Sequence, residues 1–251
     1  MPDFRAYARS ATATIAEIRL DPDESHHLVA VNRCGRGDPV IAFDGRGREW
    51  ITVCADPNKS AAVLSVKETR LAAPRRHEIT LAQALPKGST MDEIVRQATE
   101  IGAARIVPLL SERTQVHLDG DRADKKIEKW RTTAIEAAKQ CGNSWLPEIA
   151  PVKTLASFLA EAASELKLIA SLQAGATSLR EALQRQRAKH GAVPTRATWL
   201  VGPEGDFSSA EMTAAIMAGY APVSLGRLVL RCDTAAISAL SVLVYELDGL
   251  V

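Results

Sequence analysis

The sequence has few of the features that announce common ligand chemistries. It contains four cysteines, Cys34, Cys54, Cys141 and Cys232. None forms a CxxC pair, so neither a disulfide framework nor a cysteine zinc site is indicated, and free thiols suit a reducing cytoplasm. The five histidines, His26, His27, His77, His117 and His190, have no metal-ligand spacing, and no metal is expected. No run is apolar enough to cross a bilayer. The opening MPDFRAYARSATATIAEIRL is too polar for a signal peptide. A soluble, cytoplasmic protein without membrane contact is expected. Aromatic residues are scarce at 4%, and Trp50, Trp130, Trp145 and Trp199 read as core anchors rather than base-stacking platforms. Net charge is small, +1, unlike a strongly basic nucleic-acid binder. The pairs Arg33/Arg36 and Arg75/Arg76, and the cluster Lys125, Lys126, Lys129 and Arg131, read by themselves as solvated faces. There is no Rossmann GxGxxG and no P-loop, which disfavours a dehydrogenase or nucleotidase. Internal repeats and low-complexity tracts are also lacking.

The remaining composition is ordinary: 46% hydrophobic and 24% charged in 251 residues, enough for a sizeable core without covalent staples. Two rhythms divide the chain. The first part reads as short strands. PVIAF and REWITVCA flank Asp44-Gly45-Arg46-Gly47, a hairpin signal. KSAAVLSVKET is a further strand, and a modest helix is expected around His26 to Asn32. This is a small β-barrel or sandwich over residues 1–72, and LAAPRRH (71–77) marks the boundary.

From 73 to 251 strands and helices alternate. EITLAQAL, RIVPLLS, LKLIAS, ATWLVG and PVSLG read as strands. Thr90-x-x-Glu93, Ser178-x-x-Glu181 and Ser208-x-x-Glu211 read as capping boxes. Gly102, Gly142 and Gly219 are expected to stop helices. A long helix is expected from about Arg122 to Cys141, and a last one from about Asp233 to Leu247. Such alternation implies a mostly parallel α/β sheet, with ligands at the carboxyl ends of its strands.

Two glycine-bearing loops stand out near the end. Val201-Gly202-Pro203-Glu204-Gly205-Asp206-Phe207 follows a buried strand and precedes a capped helix. By itself it is first of all a tight strand-to-helix turn, and it can also present main-chain groups to a flat heterocycle. The second runs from Ser224 through Leu225-Gly226-Arg227-Leu228-Val229-Leu230-Arg231 to Cys232-Asp233-Thr234-Ala235. Asp233 suits the N-cap of the last helix. Arg231, a charge directly after an apolar run, points near a helix N-terminus, where anions are favoured.

Together, WLVGPEGDFSSAE and VSLGRLVLRCDTAA resemble the C-terminal signature of the RsmE family, ribosomal RNA uridine-N3 methyltransferases of the SPOUT, or trefoil-knot, superfamily. HHLVAVNRCGRGDPVIAFDGRG is similar to that family's PUA-like domain. ALPKGSTMDEIVRQATEIGAARIVPLLSERT is similar to the start of its catalytic domain, and KKIEKWRTTAIEAAKQCGNSWLPEI to the helix and loop that follow. The chain departs from the pattern at Asp206, where the family commonly has glycine. It departs again at Cys232-Asp233, where an arginine-threonine-glutamate-threonine run is common.

The resemblance implies an N-terminal PUA-like RNA-binding β-barrel and a C-terminal SPOUT α/β domain with a trefoil knot. It implies S-adenosylmethionine as cofactor, 16S ribosomal RNA in the small subunit as partner, N3 of a uridine as target, and a homodimer through the knotted domain. The implied cofactor loops are Leu172-Gln173, then Val201, Gly202, Pro203, Glu204 and Gly205, then Leu225, Gly226, Leu230, Arg231, Thr234 and Ala235. Arg231 is the candidate for stabilising the uridine imide anion, with Glu204 or Asp233 taking its proton. Arg33 and Arg36 are expected to contact RNA phosphates. The rivals are another SPOUT activity (ribose 2′-O or guanine N1 methylation) and a non-catalytic ribosome-assembly factor.

Overall fold

The computed structural model of the chain describes residues 4–9, 11, 15–116, 120–161, 164–173, 175–191 and 193–248. It divides into two compact units. The first is Met1–Pro74 together with Ile135–Leu146, and the second is Arg75–Ala134 together with Pro147–Val251.

The first unit holds β1 (Phe4–Tyr7), β2 (Glu17–Arg19), α1 (Pro22–His26), β3 (Pro39–Phe43), β4 (Arg48–Asp56) and β5 (Val63–Leu71). They form one curled sheet in the order β1-β3-β4-β5-β2. The β1–β3 pairing is parallel and the others antiparallel. Register shifts in the β4–β5 ladder add local bend and twist. Among the described residues β1 and β2 do not pair, so the expected barrel is a half-barrel. Asp21 caps α1, accepting from the Glu24 N–H at 2.8 Å. The helix runs on into a π-helical turn, His27–Val31. The predicted helix of residues 26–32 thus matches the π-helical turn and its end, and misses only the first turn, which begins at Pro22.

The expected hairpin turn is present between β3 and β4. The Asp44 carboxylate accepts from the N–H groups of Arg46 (2.7 Å) and Arg48 (3.0 Å). Gly47 has φ +88°, and a Cβ there would lie 2.2 Å from the Trp145 ring. Trp145 is thus a partly exposed plate seated on the turn, its Nε1 donating to Ala73 O at 2.9 Å. The other three tryptophans are core anchors. Buried carboxylates in this unit are held from residues 135–146. Lys139 Nζ donates to Glu24 Oε1 at 2.9 Å. The Ser144 hydroxyl donates to Glu49, which also meets Arg5 and Arg70.

The second unit continues in chain order with β6 (Glu78–Ala84), α2 (Thr90–Ile101), β7 (Arg105–Leu110), α3 (Gly120–Cys141), β8 (Glu148–Ile149), β9 (Lys153–Thr154), α4 (Leu155–Glu161), β10 (Leu166–Ala170), β11 (Thr177–Ser178), α5 (Leu179–His190), β12 (Arg196–Val201), α6 (Ser209–Met217), β13 (Ala221–Ser224) and α7 (Cys232–Asp248). The strands pair parallel in the order β11-β13-β10-β12-β6-β7-β8, with β9 also against β7. Successive strand residues enter different cores, as alternation requires. Leu81, Ile106, Leu168 and Trp199 join α2, α5 and α7. Ala82, Val107, Ile169 and Leu200 join α4 and α6. Helices therefore cover both faces, the arrangement a parallel sheet needs.

The capping boxes at Ser178/Glu181 and Ser208/Glu211 form as expected. The one at Thr90/Glu93 does not. There the helix starts at Thr90, and Ser89 precedes it without a side-chain cap bond. The two-residue strands β8, β9 and β11 escaped the sequence reading, being too short to show a period.

Candidate active site

Strands β13, β10 and β12 are neighbours and parallel, so their carboxyl ends share one edge of the sheet. The three loops leaving them line a cavity of about 290 Å³. Its walls are mainly apolar. Glu204 and Arg231 are the charged side chains proposed from the sequence that reach it.

Ten of the thirteen residues named as cofactor contacts line this cavity: Leu172, Val201, Gly202, Pro203, Glu204, Leu225, Gly226, Leu230, Arg231 and Ala235. Gln173, Gly205 and Thr234 are next to the lining without being part of it. The Gln173 N–H donates to Ser171 Oγ at 3.2 Å. Gly205 O is turned to Arg113 Nη1 at 2.6 Å. The Thr234 N–H donates to Asp233 Oδ1 at 2.8 Å. Asp233 also lies outside the lining. α7 begins at Cys232, so Asp233 sits inside its first turn instead of at the N-cap. A carboxylate there still complements the helix dipole.

The β12 loop owes its shape to Asp206, at φ +58°. This left-handed conformation is one that glycine adopts freely and aspartate tolerates. The departure from the family pattern therefore falls where the backbone needs glycine-like freedom. Asp206 Oδ1 accepts from the Phe207 N–H at 2.8 Å.

Neighbouring strands tie the same loop down. Gln83, fully buried at the end of β6, donates through Nε2 to Ala84 O (2.8 Å) and Gly202 O (3.3 Å). The Lys87 N–H donates to Glu204 Oε1 at 2.9 Å. Gln83, Lys87 and Arg113 were not among the residues singled out from the sequence. Their partners here are a carboxylate and main-chain groups, and no local motif signals such contacts.

Ala170, Ser171 and Val223 also line the cavity and were not singled out from the sequence, whereas Asp206, Leu228, Val229 and Cys232 belong to the two loops that were, without being named individually as contacts. Leu228 and Val229, inside the second loop, are left exposed as an apolar pair. Burial, with the charges of Glu204 and Asp233 adding to it, pushes the Cys232 thiol up to about 11, so it stays protonated at neutral pH.

Arg33 and Arg36 belong to the first unit, both exposed on the loop before β3. Arg33 stands at φ +62°, and Arg36 lies 3.7 Å from Asp56. Among the described residues no three metal-capable side chains cluster, and no helix is long and apolar enough to cross a membrane. His117 lies outside the described residues.

Two family profiles match the chain: an RNA methyltransferase domain over residues 73–244 and an RNA methyltransferase PUA domain over residues 20–67. Ribosomal RNA small subunit methyltransferase E of Synechocystis is 34% identical over 229 residues, 90% of this chain and 72% of that protein. The Bacillus subtilis protein of the same name is 28% identical over 229 residues, 90% of this chain and 89% of its own. The Neisseria gonorrhoeae enzyme of that name, solved with S-adenosylmethionine bound, superposes with a TM-score of 0.84 at 27% identity over 95% of each chain. A Legionella pneumophila protein solved with the same cofactor gives 0.87 at 32% identity over 96% of each. With a catalytic-domain profile spanning most of its length and a PUA profile ahead of it, the chain belongs to the ribosomal RNA small subunit methyltransferase E family.

Proposed function

We propose that the protein methylates N3 of a uridine in the 16S ribosomal RNA of the small subunit, using S-adenosylmethionine. The observation that carries this reading is the apolar cavity built from the β10, β12 and β13 loops, in a chain whose relatives are rRNA methyltransferases. The cavity suits the cofactor's chemistry. Leu172, Val201, Leu225, Leu230 and Ala235 offer apolar walls for a flat heterocycle, and the Gly202–Gly205 backbone offers polar contacts. Bound there, the cofactor supplies an electrophilic methyl group.

Uridine N3 carries a proton and must lose it to become a good nucleophile. Arg231 is the group we assign to stabilise the anion that forms at the imide. Of the two carboxylates considered, Glu204 is favoured as proton acceptor because it lines the cavity. Its Oε1 is engaged by Lys87, which fixes the carboxylate and leaves Oε2 to take a proton. Asp233 is assigned to the α7 terminus. Alignment of base and methyl group supplies much of the remaining rate.

In this reading residues 1–72, with the segment 135–146 that completes their unit, serve as the RNA-binding domain, and the rest of 73–251 as the catalytic domain. Arg33 and Arg36 meet RNA phosphates, and the enzyme works in the cytoplasm, where ribosomal particles are. A homodimer through the catalytic domain is supported by exposed Val242 and Tyr245 on α7 and by Leu228 and Val229. The trefoil knot is supported by the position of β13, inserted between β11 and β10.

The test is methyl transfer from labelled S-adenosylmethionine to small subunits lacking the modification, followed by digestion to nucleosides. Label in 3-methyluridine is expected. Label in a 2′-O-methyl nucleoside or in 1-methylguanosine would replace the target. No transfer despite measured cofactor binding would favour an assembly factor.

A further inference from the structure

The β12 loop is held from outside by groups of two kinds. Lys87 reaches Glu204 with its backbone N–H (2.9 Å), so its ammonium takes no part in that contact. Arg113 reaches Gly205 O with its side chain, Nη1 to O at 2.6 Å. A Cβ on Gly205 would lie 3.5 Å from Arg113 Cδ, so the arginine lies flat along the loop.

The base of Arg113 is also fixed. The turn that carries it closes through Thr114 N to Ser111 O (3.1 Å) and Ser111 N to Thr114 Oγ1 (3.0 Å). The Glu112 N–H donates to Glu211 Oε1, at the start of α6, at 2.8 Å. A guanidinium has five N–H donors, and the Gly205 contact occupies one nitrogen. Arg113 and Lys87 are both exposed, and among the described residues neither side chain forms an ion pair; the Glu204 carboxylate is met by the Lys87 backbone alone. Two cationic side chains outside any ion pair thus flank the loop on the edge that holds the cavity.

We infer that Arg113 is a positioning residue with two ends: one guanidinium nitrogen fixes Gly205 O and hence the cofactor loop, while its outward donors take a phosphate of the RNA, with Lys87 taking a neighbouring phosphate. One side chain then links RNA binding to the shape of the cofactor pocket. This rests on the reading of the protein as an rRNA methyltransferase. It adds a phosphate-binding edge on the catalytic unit to the arginines of the first unit.

The two cations are attached differently, and this separates the roles. Binding of S-adenosylhomocysteine is measured by calorimetry with the full-length protein, alone and with small subunits lacking the modification. Binding of those subunits is measured as a function of salt. Lys87→Ala keeps the backbone tether. It should leave S-adenosylhomocysteine affinity unchanged and reduce the salt slope by about one phosphate contact. Arg113→Ala should reduce the slope similarly, weaken S-adenosylhomocysteine by on the order of tenfold, and abolish any tightening of that ligand by RNA. Arg113→Lys should restore the slope without restoring the ligand affinity, because the shorter lysine chain does not carry its ammonium to Gly205 O and onto a phosphate at once.

Wild-type S-adenosylhomocysteine affinity in a folded Arg113→Ala would overturn the positioning role. An unchanged salt slope in both alanine variants would overturn the phosphate contacts. Failure of the wild-type protein to methylate rRNA would instead strike the functional reading itself, and the Gly205 tether would still be judged by S-adenosylhomocysteine binding without RNA.

Discussion

A Cβ placed on Gly202 would lie 3.1 Å from the Cα of Asp206 and 3.0 Å from its Oδ1. The first residue of the β12 loop and the one that turns it into α6 are therefore packed backbone to backbone. Gly202→Ala forces the loop open by a few tenths of an ångström, and Gly202 lines the cavity. We expect a loss of S-adenosylhomocysteine affinity on the order of tenfold, from overpacking worth about 1–3 kcal/mol. The same overpacking should lower the melting temperature by several degrees. Calorimetric titration of the folded variant checks this.

At Asp206 the backbone conformation decides the outcome. With φ at +58°, a β-branched side chain is badly accommodated and a glycine readily. Asp206→Val should cost about 2 kcal/mol, from left-handed strain and the lost bond to the Phe207 N–H. Asp206→Gly should be nearly neutral, since relief of strain offsets the lost bond and the added chain entropy. Urea unfolding of both variants tests the ordering. Equal losses would show that the hydrogen bond alone matters.

Lys139 and Glu24 form a pair whose side chains are only 6% and 12% exposed. Lys139 also meets Glu136 at 2.6 Å and His27 Nδ1 at 3.1 Å. Lys139→Met leaves the Glu24 carboxylate buried without its cation, at a cost of about 3–5 kcal/mol. Adding Glu24→Gln should recover much of that loss. A double-mutant cycle in urea would reveal a mere packing role if the second substitution only deepened the loss.

Glu49 titrates in a direction that fixes a pH window. Burial raises its pKa, but hydrogen bonds from Ser144, Arg70 and Arg5 outweigh burial and hold the carboxyl below its ordinary value of 4.5. A carboxylate depressed in the folded state contributes stability that is complete above the unfolded value. That stability is lost as pH falls through the folded value. The stability advantage of wild type over Glu49→Gln should therefore be constant from pH 7 to about 5 and shrink below 4.5. An advantage that grew on acidification would contradict the assignment.

For Cys232, a thiol pushed up to about 11 leaves little thiolate at pH 8. Alkylation of the folded protein by iodoacetamide at that pH should leave Cys232 unmodified, and unfolding in urea should expose it. Mass spectrometry of digests reads the site.

Short-range features were legible in the sequence. Ser178 and Ser208, each three residues ahead of a glutamate, specify the starts of α5 and α6 through contacts inside one turn. Thr90 and Glu93 show the same spacing, but the helix begins at Thr90 itself, so spacing alone did not decide which residue is the cap. The cavity loops could be read because glycine, proline and an apolar run lie together in sequence. The tethers from Gln83, Lys87 and Arg113 could not. They join residues about a hundred positions apart, and several of the groups they meet are main-chain atoms, which carry no residue identity. Residues 135–146 were likewise read with the second part of the chain, because the helix that carries them gives no sign in its periodicity of a change of core.

That last assignment bears on the order in which the chain acquires structure. The first unit is discontinuous: its closing segment is made some sixty residues after Pro74. Until Ser144 and Lys139 have emerged, Glu49 and Glu24 lack part of their hydrogen-bonding partners, and the Gly47 turn lacks the Trp145 plate. A nascent chain of 74 residues holds every strand of the half-barrel and still cannot finish it. The N-terminal unit is therefore completed after the first strands of its C-terminal neighbour have been synthesised, and a fragment cut at the apparent boundary would be a poor folder.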